Sequence, residues 1–188
     1  MTIVSVGVYY LNRRPFAAGF FMTNLETQRL LLRRLHVDDA PFILTLLNEP
    51  SFIRYIGDKS VRDLEGARQY ILNGPVASYD RHGFGLNLVE LKESHTPIGI
   101  CGLLKRDELP HPDIGFALIP DFWNKGFAFE AATAVLQDAR YRLNPERILA
   151  ITSLDNEASI SLLQRLGFSF EKTTRLSADG EEVRLFTL

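Results

Sequence analysis

Residues 121–131, Asp-Phe-Trp-Asn-Lys-Gly-Phe-Ala-Phe-Glu-Ala, change character at Gly126, where a turn-like half gives way to a helix start. Ala128, Ala131, Ala132, Val135, Leu136 and Ala139 then recur at the spacing of one buried helical stripe. The first turn of such a helix exposes unpaired N–H groups and carries the positive end of the macrodipole, so it can bind a phosphate. A glycine at the join lets a ligand approach the backbone closely. Other chemistries fail at the residue level. Lys125 precedes its glycine, so there is no GxxxxGK[ST], and no GxGxxG follows a strand. Gly167-Phe-Ser-Phe-Glu171 lacks the last glycine of a hydrolase elbow. His36, His82, His95 and His111 are scattered without ligand spacing, so no metal is expected. Cys101 lies in the apolar run 98–104 and is expected in the core rather than as a nucleophile.

A chain of 188 residues is long enough to position such a site within one hydrophobic core. Its 46 % hydrophobic and 23 % charged content suits an ordinary globular protein. A net charge of -2 offers no basic excess for nucleic acid or an anionic membrane. The single cysteine excludes an internal disulfide framework and fits a reducing cytoplasm. No stretch approaches the roughly 18 apolar residues of a membrane span. At the N-terminus, apolar Ile3 to Leu11 precedes Arg13 and Arg14, the reverse of a secretory signal. Residues 1–21 are therefore expected to be an extension outside the core fold, with an extra strand as the competing possibility, and residues 22–188 a single domain.

The run Arg29 to Leu35 predicts a first strand. Asp38 or Asp39 then caps a helix ending before Pro50, a second helical stretch includes Phe52 to Ile56, and a third runs from Val61 to Leu72 until Asn73-Gly-Pro75 stops it. Phe84 to Leu91 and Pro97 to Leu104 read as an antiparallel hairpin, and Asp113 to Ile119 as a fourth strand. The Gly126 helix and a fifth strand, Arg147 to Ser153, complete a strand, helix, strand crossover. Asp155 or Asn156 caps a further helix ending at Gly167, and two last strands, Phe168 to Thr174 and Glu182 to Leu188, flank a turn.

Three local patterns occur in this order: Asp113-Ile-Gly115, then Trp-Asn-Lys-Gly-Phe-Ala-Phe-Glu-Ala, then Asn156-Glu-Ala-Ser-Ile-Ser-Leu-Leu-Gln-Arg-Leu-Gly-Phe168. Together with the element order they resemble the GNAT (GCN5-related) N-acetyltransferases, and within them the branch that acetylates N-terminal amines of ribosomal proteins. The resemblance spans about residues 25 to 188. It implies a mixed α/β fold: a mostly antiparallel twisted sheet of about six or seven strands, flanked by helices and splayed between the fourth and fifth strands. It implies acetyl-CoA as co-substrate, with pantetheine paired to the main chain of Ala117, Leu118 and Ile119. The pyrophosphate would lie on Asn124, Lys125, Gly126, Phe127 and Ala128. Trp123 stands where the family often has Gln or Arg, which leaves the loop to its backbone donors, with Lys125 either a phosphate ligand or a solvated surface lysine. Asn156 takes the position that contacts the cofactor near pantetheine, and would also be a good helix cap.

The implied reaction is direct attack of a primary amine on the thioester in a ternary complex. The amine must lose a proton, the thioester oxygen wants an aimed N–H, for which the main chain near Leu118 is the candidate, and the sulfur needs a proton. Ser159 occupies the position of the thiolate acid in the resembling branch; the tyrosine that many relatives use four residues later is Leu163 here. Asp113 stands where the family often places a glutamate base, with Glu108 or a water chain as alternatives. Acceptor specificity is expected from Phe52, Tyr55 and Ile56 and from the loop 104–110. The favoured acceptor is a protein N-terminal amine. A small-molecule amine such as an antibiotic or polyamine, or a non-catalytic acyl-CoA-binding regulatory domain, stays open. The chain is expected to be cytoplasmic, a monomer or homodimer, with no nucleic acid or membrane partner.

Overall fold

The structure, a computed structural model, describes residues 24–188. The expected extension over residues 1–21 and the domain start at Met22 lie outside the described residues. Eight strands form one sheet in the order β1-β2-β3-β4-β5-β6-β8-β7. They are β1 (Leu25–Glu26), β2 (Leu30–Arg34), β3 (Leu86–Leu91), β4 (Pro97–Leu104), β5 (Asp113–Leu118), β6 (Leu149–Ser153), β7 (Ser169–Arg175) and β8 (Glu182–Thr187). The expected mixed α/β sheet is present with one strand more than foreseen. The two-residue β1 is too short to leave a periodicity of its own, and it makes the expected fourth and fifth strands β5 and β6.

Consecutive strands pair antiparallel from β1 to β5, whereas β5 and β6 are parallel, joined by the crossover helix α5 (Phe127–Arg142). Of the other helices, α1 (Ala40–Leu47), α2 (Pro50–Ile56), α3 (Leu64–Ile71) and α4 (Ala77–His82) lie between β2 and β3, and α6 (Glu157–Arg165) follows β6. Ala67 and Ile71 of α3 pack with Ile43, Leu46 and Leu47 of α1 against Leu35, Leu88 and Ile100 on one sheet face. On the opposite face Ala131, Ala132, Val135, Leu136 and Ala139 of α5 meet Leu30, Leu32, Val89, Cys101 and Ile114. The apolar stripe read from the sequence is thus the face α5 buries.

Two expectations are corrected. Pro75 does not end the third helix: the chain continues through a widened turn, Leu72–Val76, into α4. The wider turn accommodates the missing proline N–H and the ring that would clash in a regular α-helix. Nor does Asp39 cap α1 with its side chain. Its carboxylate instead receives both terminal nitrogens of Arg33 at 2.9 and 2.7 Å, joining α1 to β2.

Candidate active site

β5 and β6 share a single register pair, Asp113 with Leu149, beside the bond from Leu149 N–H to the Pro112 carbonyl at 2.9 Å. Beyond it they diverge, and β6 pairs along its length with β8 instead. The expected splay is therefore present, closed at Asp113 and open towards Leu118. Antiparallel strands alternate between residues that bond their neighbour and residues that face away. Ile119 N–H bonds the Ile98 carbonyl at 2.9 Å, so Ala117 and Ile119 turn their amides towards β4, and Leu118 turns its N–H and C=O into the split. The indole N–H of Trp123 donates to that Leu118 carbonyl at 2.8 Å.

The carboxyl ends of the diverging strands lead to the N-termini of α5 and α6, the crevice where open α/β sheets bind ligands. Ahead of α5, Asn124 at φ 57 and Gly126 at φ 81 are both left-handed, a conformation that favours glycine and is tolerated by asparagine. Among the described residues nothing accepts from the main-chain N–H groups of residues 124–128. The Lys125 ammonium lies 5.5 Å from the Phe122 ring centre, without a carboxylate partner among the described residues.

This loop is held from behind by residues the sequence did not single out. Glu130, buried in the first turn of α5, accepts from Thr27 Oγ1 at 2.6 Å, Arg29 N–H at 2.9 Å and Arg29 Nε at 2.7 Å. The Arg29 guanidinium also donates to the Lys125 carbonyl at 3.0 Å and lies 4.3 Å from the centre of the Phe127 ring. Anchoring that carbonyl on the protein side holds the loop with its N–H groups unengaged. Arg29 and Glu130 are 101 residues apart, so no local pattern could reveal the pair.

At α6, the Asn156 side chain accepts from Ser159 N–H at 3.1 Å, as a helix cap does. The Ser159 hydroxyl makes no hydrogen bond among the described residues and is half-buried. Arg54 of α2 bonds Asp155 at 2.9 Å and ties the helical layer to this end of the split.

A family model for the acetyltransferase (GNAT) domain matches residues 29–169, the stretch that holds the split and both helix N-termini. The chain belongs to the GNAT acetyltransferase family. It is 31 % identical over 153 residues to the uncharacterized N-acetyltransferase YoaA of Bacillus subtilis, covering 80 % of this chain and 85 % of that protein. An Agrobacterium tumefaciens acetyltransferase superposes with a TM-score of 0.76 at 23 % identity, covering 94 % of this chain and 99 % of that one. A ribosomal L7/L12 alpha-N-protein acetyltransferase, RimL, in complex with coenzyme A, superposes with a TM-score of 0.74 at 18 % identity, covering 86 % and 94 %. The chain is thus a GNAT N-acetyltransferase, and acetyl-CoA is the acyl donor of its family.

In this GNAT enzyme Asp113 lies at the closed end of the split with no exposed surface. Its two oxygens accept from Arg106 Nε at 3.2 and 3.0 Å. Burial raises its proton affinity, and the Arg106 charge opposes that rise. Cys101 is buried, and burial pushes its thiol pKa up to about 12, so it is not a nucleophile. Of the residues expected to shape acceptor choice, Phe52 is buried in the α1–α3 core, Tyr55 lies under the Arg54 guanidinium at 4.9 Å, and Ile56 is exposed. No helix among the described residues is long and apolar enough to cross a membrane.

Proposed function

We propose that this GNAT enzyme acetylates a protein N-terminal α-amine, with donor and acceptor meeting across the β5–β6 split. One observation carries the place of transfer: the Leu118 N–H faces the split, with the free N–H groups of residues 124–128 at its open end. The N–H groups of residues 124–128 are donors suited to a pyrophosphate, and the pantetheine would lie along the split that the Leu118 N–H faces. Ala117 and Ile119 then line the passage through their side chains rather than their amides. Acetyl-CoA supplies the activated acyl group.

The chain's own residues do the rest. Residues 124–128 fix the phosphates at the positive end of α5. The Leu118 N–H stands where negative charge develops on the carbonyl oxygen. Ser159, its hydroxyl uncommitted, donates a proton to the departing sulfur, and Asn156 fixes the turn that presents it. Asp113, with its proton affinity raised by burial, takes the amine proton through intervening water. The acceptor class is favoured by the likeness to RimL. A small-molecule amine is the second reading, since Gly115, Phe116 and Ala117 beside the split are only half-buried.

The deciding experiment is free-thiol release from acetyl-CoA with peptides of varied N-termini beside small amines. Turnover confined to small amines rejects the peptide assignment, and cofactor binding with no turnover on any acceptor favours a regulatory domain. Ser159→Ala should lower kcat about 100-fold, the lower end of what a single general acid contributes. A variant as fast as the parent across pH leaves water as the acid.

A further inference from the structure

Alternation along β5 sends Ile114, Phe116 and Leu118 to the α5 face and Ala117 to the α1–α3 face. Asp113 and Gly115 share the Ala117 side by the same period. An amine that reaches Leu118 from opposite the cofactor therefore passes over Gly115 and Ala117, beside Asp113.

That passage is cationic. Arg106 is anchored on Asp113 through Nε, with its side chain 33 % exposed. Its two terminal nitrogens have no partner among the described residues, which leaves one edge of the guanidinium able to take an oxyanion bidentately. Lys59 has no carboxylate partner among the described residues, and its ammonium reaches only the Ile56 carbonyl at 3.5 Å. Arg106 is near enough to add to the desolvation that lowers the Lys59 proton affinity, and it acts on the half-buried Tyr70 as well. Tyr70 in turn lines a cleft of about 270 Å³ between α3–α4 and the end of β4, whose charged or titratable lining is Arg81, His82 and Lys105. No carboxylate lines it, and Asp107 and Glu108 of the neighbouring loop stay outside it. Asp113 already balances Arg106, whereas Lys59, Arg81 and Lys105 have no carboxylate partner among the described residues, so an anion here would offset their repulsion.

We propose that the acceptor carries an oxyanion, a carboxylate or phosphate near its primary amine, bound by Arg106 and Lys59 and continuing into the Tyr70–Arg81–Lys105 cleft. The proposal rests on the acceptor approaching from the α1–α3 face, as in the function above. It disfavours polyamines and aminoglycosides, which the same charges repel.

The test is acetylation of charge-matched pairs by the full chain with saturating acetyl-CoA. The pairs are peptides with a Ser or Ala terminus followed by Asp or by Asn, and amino acids or aminoalkyl phosphates beside their uncharged analogues, with spermidine as a cationic control. Acidic members should lead by about 10-fold in kcat/KM at low ionic strength, and added salt should shrink that lead. Lys59→Glu should reverse the order while Lys59→Arg preserves it, and thermal melts of both variants check that each is folded. Equal rates for acidic and neutral partners, a preference for spermidine, or no acetylation at all overturns the proposal. Acidic small amines accepted without any peptide would reject the protein-terminus reading and leave the oxyanion assignment standing.

Discussion

Replacing Glu130 by Gln tests whether the pyrophosphate loop is held from behind. The carboxylate has two jobs: Oε1 takes Thr27 Oγ1 and Arg29 N–H, and Oε2 takes the Arg29 guanidinium at 2.7 Å. An amide can keep the first pair of bonds only by turning its NH2 towards the guanidinium, donor against donor. The Arg29 side chain is 43 % exposed, so solvent screens the ion pair and its loss costs about 1 kcal/mol. The donor clash adds about 1 kcal/mol for groups left unpaired. A total near 2 kcal/mol lowers Tm by about 4–8 °C in a domain of this size. The more specific effect is on the loop. Once the guanidinium leaves the Lys125 carbonyl, residues 124–128 must be ordered on binding, which should raise KM for acetyl-CoA about 5- to 10-fold. The acetyl transfer step is remote from Glu130, so kcat should stay within about twofold. Thermal melts and initial rates at varied acetyl-CoA separate the two effects. Arg29→Lys keeps the charge but cannot engage Glu130, the Lys125 carbonyl and the Phe127 ring together, so it should also raise KM. A Glu130→Gln variant that melts early but keeps the parent's KM would refute the clamp and leave the pair as ordinary stabilisation.

Three further outcomes are expected. Gly126→Ala places a Cβ at a residue with φ 81 and 3.4 Å from the Arg29 guanidinium, so it should cost about 1 kcal/mol and weaken acetyl-CoA binding; titration calorimetry that shows parental affinity counts against the loop assignment. Trp123 is the only tryptophan in the sequence, and its indole bonds the Leu118 carbonyl, so acetyl-CoA should shift its emission; a flat fluorescence titration alongside calorimetric binding places the cofactor elsewhere. Asp113 has a native pKa raised by burial, so the native state binds its proton more tightly and its ionisation removes stability as pH rises from about 4 through the raised value. The stability gap between the parent and Asp113→Asn should therefore move in favour of Asn over that window in urea melts, and a gap moving the other way shows that Arg106 outweighs burial.

What the sequence disclosed and what it hid follow from how each part is built. The α5 stripe, the glycine at φ 81 and the Asn156 cap are local, made by residues a few positions apart, and each leaves a mark in spacing or residue type. The continuation past Pro75 and the short β1 went unseen because the surrounding structure decides them: a proline normally ends a helix, and a two-residue strand exists only through its pairing with β2. Arg29 with Glu130, and Arg33 with Asp39 and Glu90, are side-chain partnerships between elements. A lone arginine in a strand reads as a solvated face whether or not a carboxylate waits opposite.

The same distinction explains why the donor was easier to recognise than the acceptor. A pyrophosphate and a pantetheine are held by main chain, and main-chain presentation is governed by turns, caps and strand alternation, all legible locally. An acceptor is chosen by side chains converging from distant segments, on the proposed path Lys59 from the loop after α2, Tyr70 from α3 and Arg106 from the loop after β4. Mixed charges along the stretch from Arg54 to Glu65 gave no sign of preference in the sequence. In the folded chain Asp58 is occupied by Arg62 at 2.5 Å and Asp63 caps α3, while Lys59 has no such carboxylate partner among the described residues. Neutralising the acidic neighbours locally leaves the basic ones to set the sign of the passage, so a balanced composition can conceal a site with a definite charge.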